Sequence, residues 1–160
     1  MSSLQIRFVS GKGWDSRLIE WYSRCPWSHV ELLIDKRRTL GAQFKGGVKW
    51  RSVYDSAYAK AIKYEVWELP LTNEQSAIGR QLVLDAISSS YDWRAIFSFV
   101  LGPHRWHKKG AYICSGFVAG VLSSLGKMAL TEPIENYTPR DIYMLVPNLV
   151  GAVEIKEGNA

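Results

Sequence analysis

Two cysteines and three histidines are the residues with which this 160-residue chain could perform nucleophilic chemistry. Cys114 stands in Tyr112-Ile113-Cys114-Ser115-Gly116-Phe117-Val118, ahead of a stripe of Phe117, Val118, Val121, Leu122 and Leu125 at helical spacing. That places its thiol at a helix N-terminus, where unpaired N–H groups and the helix dipole gather partial positive charge. Such a site lowers a thiol pKa and favours the nucleophilic thiolate. The same N–H groups stabilise an oxyanion formed later. His29, in Trp27-Ser28-His29-Val30-Glu31-Leu32-Leu33-Ile34, lies near the start of a strand, with Glu31 on the same face by the period of two. An imidazole within reach of a thiolate holds the ion pair and later protonates the leaving group. By position alone each residue also reads as structural: a buried cysteine and a satisfied strand histidine.

The rival residues are placed less well. Cys25 ends a helix before Pro26, where the dipole disfavours a thiolate. His104 and His107 sit among Arg105, Lys108 and Lys109 without nearby carboxylate or thiol partners, which argues against a zinc site. No cofactor and no metal are expected.

The elements that must position Cys114 and His29 can be read from periodicity and turn chemistry. Leu4 to Val9 alternates as a strand, and Gly11-Lys12-Gly13 turns into a helix capped by Asp15 or Ser16 and running to about Arg24. Strands follow at Trp27–Ile34, Thr39–Phe44, Val48–Val53 and Ala61–Leu69, an antiparallel meander turned at Asp35-Lys36-Arg37-Arg38 and Lys45-Gly46-Gly47. Thr72 or Asn73 caps a helix to about Ser88, a short helix spans Trp93 to Leu101, and Cys114 to Leu125 is closed by Gly126. Small residues on its second face, Gly116, Ala119, Gly120 and Ser123, would let that helix approach the sheet. Thr138-Pro139-Arg140-Asp141 starts one more helix. The expected class is α+β, with a small antiparallel sheet packed against helices. Residues 1–150 read as a single domain and residues 151–160 as a flexible tail.

Composition bounds the rest. A 47% apolar, 22% charged chain is an ordinary globular protein, and its +5 charge favours anionic surfaces without marking a nucleic-acid binder. The first twenty residues lack an apolar core for a secretory signal, and the longest apolar stretch, Ala95 to Leu101, falls far short of the roughly 20 residues of a membrane span. The expectation is cytoplasmic synthesis, with delivery elsewhere by another machine. Seven Trp and eight Tyr suggest an aromatic wall along a substrate path, with His104 to Lys109 guiding an anionic polymer.

Cys-Ser-Gly-Phe-Val at 114–118 resembles the nucleophile motif of NlpC-type papain-like cysteine peptidases, in which the cysteine begins a helix packed on a small sheet. In most of that superfamily the cysteine precedes the histidine. Here Ser28-His29-Val30-Glu31 comes first, an order that resembles the circularly permuted branch, which includes bacterial and phage cell-wall hydrolase-like proteins and lecithin:retinol acyltransferase relatives. Gly41-Ala42-Gln43, Gly46-Gly47-Val48 and Tyr91-Asp92-Trp93 look similar too. The resemblance implies a permuted papain-like fold and a third polar group on the strand after the histidine. Gln43 takes that role, with Glu31 as the alternative; Gly41 and Ile113 depart from the family pattern. It also implies that Tyr112, Ser115, Ser28 and Trp27 line the oxyanion or substrate site. The implied function is hydrolysis of an amide in the peptide part of peptidoglycan, by a protein carried in a phage tail or through a secretion system. The alternatives are a lipid acyltransferase or amidase, and a non-catalytic tail or assembly protein.

Overall fold

The computed structural model describes residues 3–35, 37–43, 47–53, 61–87, 90–91 and 111–159. The chain runs through β1 (Ser3–Gly11), α1 (Trp14–Ser23), β2 (His29–Leu33), β3 (Arg38–Gln43), β4 (Gly47–Ser52), β5 (Ala61–Pro70) and α2 (Asn73–Ala86). It continues through the two-residue strands β6 (Ser90–Tyr91) and β7 (Ala111–Tyr112), then α3 (Cys114–Ser124), α4 (Pro139–Leu145) and β8 (Val153–Asn159). The class is α+β. Six antiparallel strands form an open sheet in the order β4-β3-β2-β1-β5-β8, and β6 and β7 pair separately in parallel.

The sheet is built by alternation. Ile6 and Phe8 of β1, Val30 and Leu32 of β2, Leu40 and Ala42 of β3 and Val48 of β4 are fully buried in the core. From α3, Phe117, Val118, Val121 and Leu122 join the same cluster. Each large side chain buried in this way stabilises the fold by about 1.5–3 kcal/mol. The intervening residues Arg7, Val9, His29 and Glu31 take the other pleat. Their register is fixed by the pairs Arg7↔Glu31 and Val9↔His29.

Local signals set most boundaries. Thr72 and Gln75 form a reciprocal capping box at α2, as do Thr138 and Asp141 at α4 with Pro139 in the first turn. Gly126, at φ +66°, turns the chain after α3, and Lys127 N–H reaches Leu122 O at 2.9 Å. Asp35 Oδ1 closes the β2–β3 turn by accepting from Arg37 N–H and Arg38 N–H at 2.8 and 2.9 Å.

Three expectations are corrected. Neither Asp15 nor Ser16 caps α1: Gly13 holds that position without a side-chain bond. Most of the expected tail is strand β8, paired with β5 from Lys63↔Asn159 to Glu68↔Val153. Val153, Glu154, Ile155 and Lys156 are all exposed there, so backbone pairing rather than burial holds the strand and no periodicity betrays it. The two glycines of α3 do not serve the sheet. A Cβ on Gly116 would meet Ile134 O at 2.6 Å, whereas one on Gly120 would meet nothing within 4 Å. The expected helix Trp93–Leu101 and the basic stretch His104–Lys109 lie outside the described residues.

The glycines of α3 give a paired test. Gly116→Ala should lose about 1–3 kcal/mol in urea unfolding by overpacking against the Ile134 carbonyl. Gly120→Ala should gain about 0.5–1 kcal/mol from helix propensity. Equal effects of the two changes would refute this assignment of space.

Candidate active site

The structure brings Cys114 and His29 together. Cys114 is the first residue of α3, and the first helical bond, Phe117 N–H to Ile113 O at 3.0 Å, leaves the preceding N–H groups directed out of the helix end. The His29 ring, by its charge and by hydrogen bonding, and the Val30 and Ser115 backbone act on the sulfur to favour its ionised form. The helix N-terminus thus lies against the first residues of β2, where the His29 ring meets the sulfur. Cys114 is only 6% exposed.

Burial and charge compete at this pair. Burial raises the thiol pKa, but the His29 charge and the hydrogen bonds to the sulfur outweigh it and hold the thiol below its ordinary value. Burial likewise pushes the His29 pKa down. The Cys114 charge, the bond to Cys114 and the neighbouring Glu31 reverse this and carry it up to about 10. Both directions favour a thiolate–imidazolium pair at neutral pH. An imidazolium has an N–H on each nitrogen, one for each anionic neighbour.

The polar group beside His29 is Glu31. Its Oε2 lies 3.6 Å from His29 Nε2, a long contact in which the attraction is chiefly of charge. Its Oε1 lies 3.5 Å from Arg7 Nη1 on β1. Arg7 in turn lies over the Tyr64 ring, 5.0 Å from its centroid. Two residues of one strand can meet because Gly41, on β3, leaves the space: a Cβ there would stand 3.0 Å from Glu31 Cβ and 3.7 Å from His29 Nε2. Gln43 lies in β3, paired with Gly47, and its side chain is outside the described set.

The other expected site residues have structural duties. Ser115 is fully buried and donates to Tyr137 O. Ser28 donates to Val9 O at 3.3 Å and accepts from Gly11 N–H at 3.1 Å, fastening the end of β1. Trp27 is a core residue against Phe8 and Tyr143, with ring centroids 6.3 and 5.7 Å away. The side chains of all three are buried. The side chain of Tyr112 is outside the described set. Cys25 is buried, and burial raises its thiol pKa, so it stays protonated. Sequence reading missed Arg7, whose one signal is a charge at an otherwise apolar strand centre, and the meaning of Gly41.

Comparison with known proteins gives a fold but no family. No family model matches the chain, and no curated protein matches it. A solved structure does: the metalloprotein yiiX from Escherichia coli O157:H7, DUF1105, at TM-score 0.67 and 15% identity, covering 99% of this chain and 98% of that one. At such identity the likeness is one of fold. It points to a different family from the NlpC-type peptidases and overturns the resemblance drawn from the Cys-Ser-Gly-Phe-Val motif. No described helix is long and apolar enough to cross a membrane.

Thiol reactivity reads the electrostatics directly. An ordinary thiol loses roughly tenfold in alkylation rate for each pH unit below its pKa. Because the Cys114 pKa is lowered, its iodoacetamide rate should hold up as pH falls from 9 toward 7, while that of Cys25 collapses. His29→Ala removes the opposing charge and leaves burial, so Cys114 alkylation at pH 7 should fall by roughly tenfold or more. Glu31→Gln should lower the His29 pKa, visible by NMR titration of the ring.

Proposed function

We propose that this protein is a cysteine hydrolase that cleaves an amide bond through a Cys114 thioester. His29 is its general acid and base, and Glu31 orients His29. The observation that supports this reading is the pairing of Cys114, at the N-terminus of α3, with His29, with the thiol pKa lowered and the imidazole pKa raised.

The Cys114 thiolate attacks the amide carbonyl carbon, and the carbonyl π electrons move onto oxygen. N–H groups of the first turn of α3 face the helix end and supply donors for that oxyanion. As the oxyanion collapses, the C–N bond breaks and the leaving nitrogen takes the His29 proton. A water then gives a proton to His29 while its oxygen bonds to the thioester carbon. Loss of the C–S bond releases the carboxylic acid and restores the thiolate.

The structural neighbour is a metalloprotein, but the residues around Cys114 do not suit a metal ion. Among the described residues no group of three His, Cys, Asp or Glu side chains could hold an ion. Cys114 and Glu31 are both spent on the His29 ring, and Arg7 already supplies a cation at Glu31. No step is therefore routed through a metal.

The peptide part of peptidoglycan is the amide substrate to test, and a net charge of +5 suits that anionic polymer. Purified sacculi should release muropeptides with the wild-type protein. Cys114→Ala should release none above background, and His29→Ala should be slower by roughly 10²–10⁴-fold. Equal release by wild type and Cys114→Ala would overturn the reading. Turnover of a fatty acyl-thioester probe with intact sacculi would move the same residues to lipid acyl transfer.

A further inference from the structure

We propose that the outer face of α1 is a binding surface for an anionic lipid bilayer. A helix packed on a core normally turns its apolar stripe inward. Helix α1 does the reverse. Trp14 is 79% exposed and Trp21 74% exposed, and Tyr22 beside them is 39% exposed. Trp14 and Trp21 are seven residues apart, so they share one face about two turns long. Leu18 lies between them, half-buried.

The inward side carries Ser16, Glu20 and Ser23 beside half-buried Ile19. Ser23 is the one buried residue of the helix. Glu20 accepts from Ser10 Oγ at 2.7 Å, and Ser16 lies against Gly11. Trp14 and Trp21 therefore turn most of their surface to solvent.

Charge selects the occupant. Exposed Lys12 precedes the stripe, exposed Arg17 falls beside Trp21 by helical spacing, and exposed Arg24 follows it. Glu20 is turned away into its bond with Ser10, which leaves Asp15 as the carboxylate of the face. Tryptophans flanked by cations on a convex helix suit the headgroup layer of an anionic membrane. A sugar needs polar groups to fix its hydroxyls, and Leu18 offers none between the two rings.

The face is also joined to the candidate site. Cys25 N–H reaches Glu20 O at 3.2 Å, and Gly11 N–H reaches Ser28 Oγ, next to His29, at 3.1 Å. A bilayer on α1 would lie at the end of the sheet that carries His29. The inference does not depend on Cys114 being catalytic.

Cosedimentation of the full chain with phosphatidylcholine vesicles, with and without about one third phosphatidylglycerol, tests it. Wild type should bind the anionic vesicles, shift its tryptophan emission to the blue and release at high salt. Trp14→Ser with Trp21→Ser should weaken binding by roughly tenfold or more, and Arg17→Glu should weaken it too. All three side chains are exposed, and an unchanged melting temperature will show that the fold persists. No binding to anionic vesicles, or equal binding by the double variant, overturns the proposal. So does a self-association or sacculus binding that the double variant abolishes while vesicle binding persists.

Discussion

A fully buried carboxylate is the constraint to which the centre of the sheet is fitted. Moving an ionised Glu31 out of water costs several kcal/mol unless opposite charges meet it. Arg7 meets one oxygen and His29 the other, and His29 in turn is coupled to Cys114. Along the row Arg7, Glu31, His29 and Cys114, each member favours the charged form of its neighbour and lowers the cost of burying it. Removing one member of such a buried pair typically costs about 3–5 kcal/mol, because the other is left uncompensated.

The sheet order follows from assembling that row. With β2 between β1 and β3, Glu31 stands opposite Arg7 on one side and beside Gly41 on the other. With β5 on the far side of β1, Tyr64 comes next to Val9 and covers the Arg7 guanidinium. Core packing on the opposite pleat, from Ile6, Phe8, Val30 and Leu32 to α3, then fixes where the first residue of α3 falls. The apolar face thus places Cys114, and the polar face prepares the residue it meets.

Cys114 and His29 were legible because each carries a local signal: a helix start after a two-residue strand, and a histidine at the head of an apolar alternation. Glu31 is visible in the sequence as a same-face neighbour of His29, but side chains two apart on a strand normally run parallel. The missing fact was an absence, the lack of a side chain at Gly41, whose effect exists only once β3 is paired. Arg7 is set by pairing of the same kind, and β8 by backbone bonds at a sheet edge. Long-range pairing leaves no periodic trace in the residues it joins.

The Cys-Ser-Gly-Phe-Val motif misled for a related reason. A cysteine followed by small residues and an apolar stripe describes what a helix N-terminus on a sheet requires, namely free N–H groups and close approach. Gly116 shows the point. Its missing Cβ makes room for the Ile134 carbonyl, a packing need with no connection to catalysis. Five residues that satisfy such local demands can recur in different families. The chemistry must then be argued from what surrounds the sulfur. Cys25 is the internal control: equally buried in the same core, it meets no imidazole among the described residues and follows a helix end, and burial is the main cause that raises its pKa. The opposite shift at Cys114 therefore comes from His29 and the backbone donors at the head of α3, not from the cysteine itself.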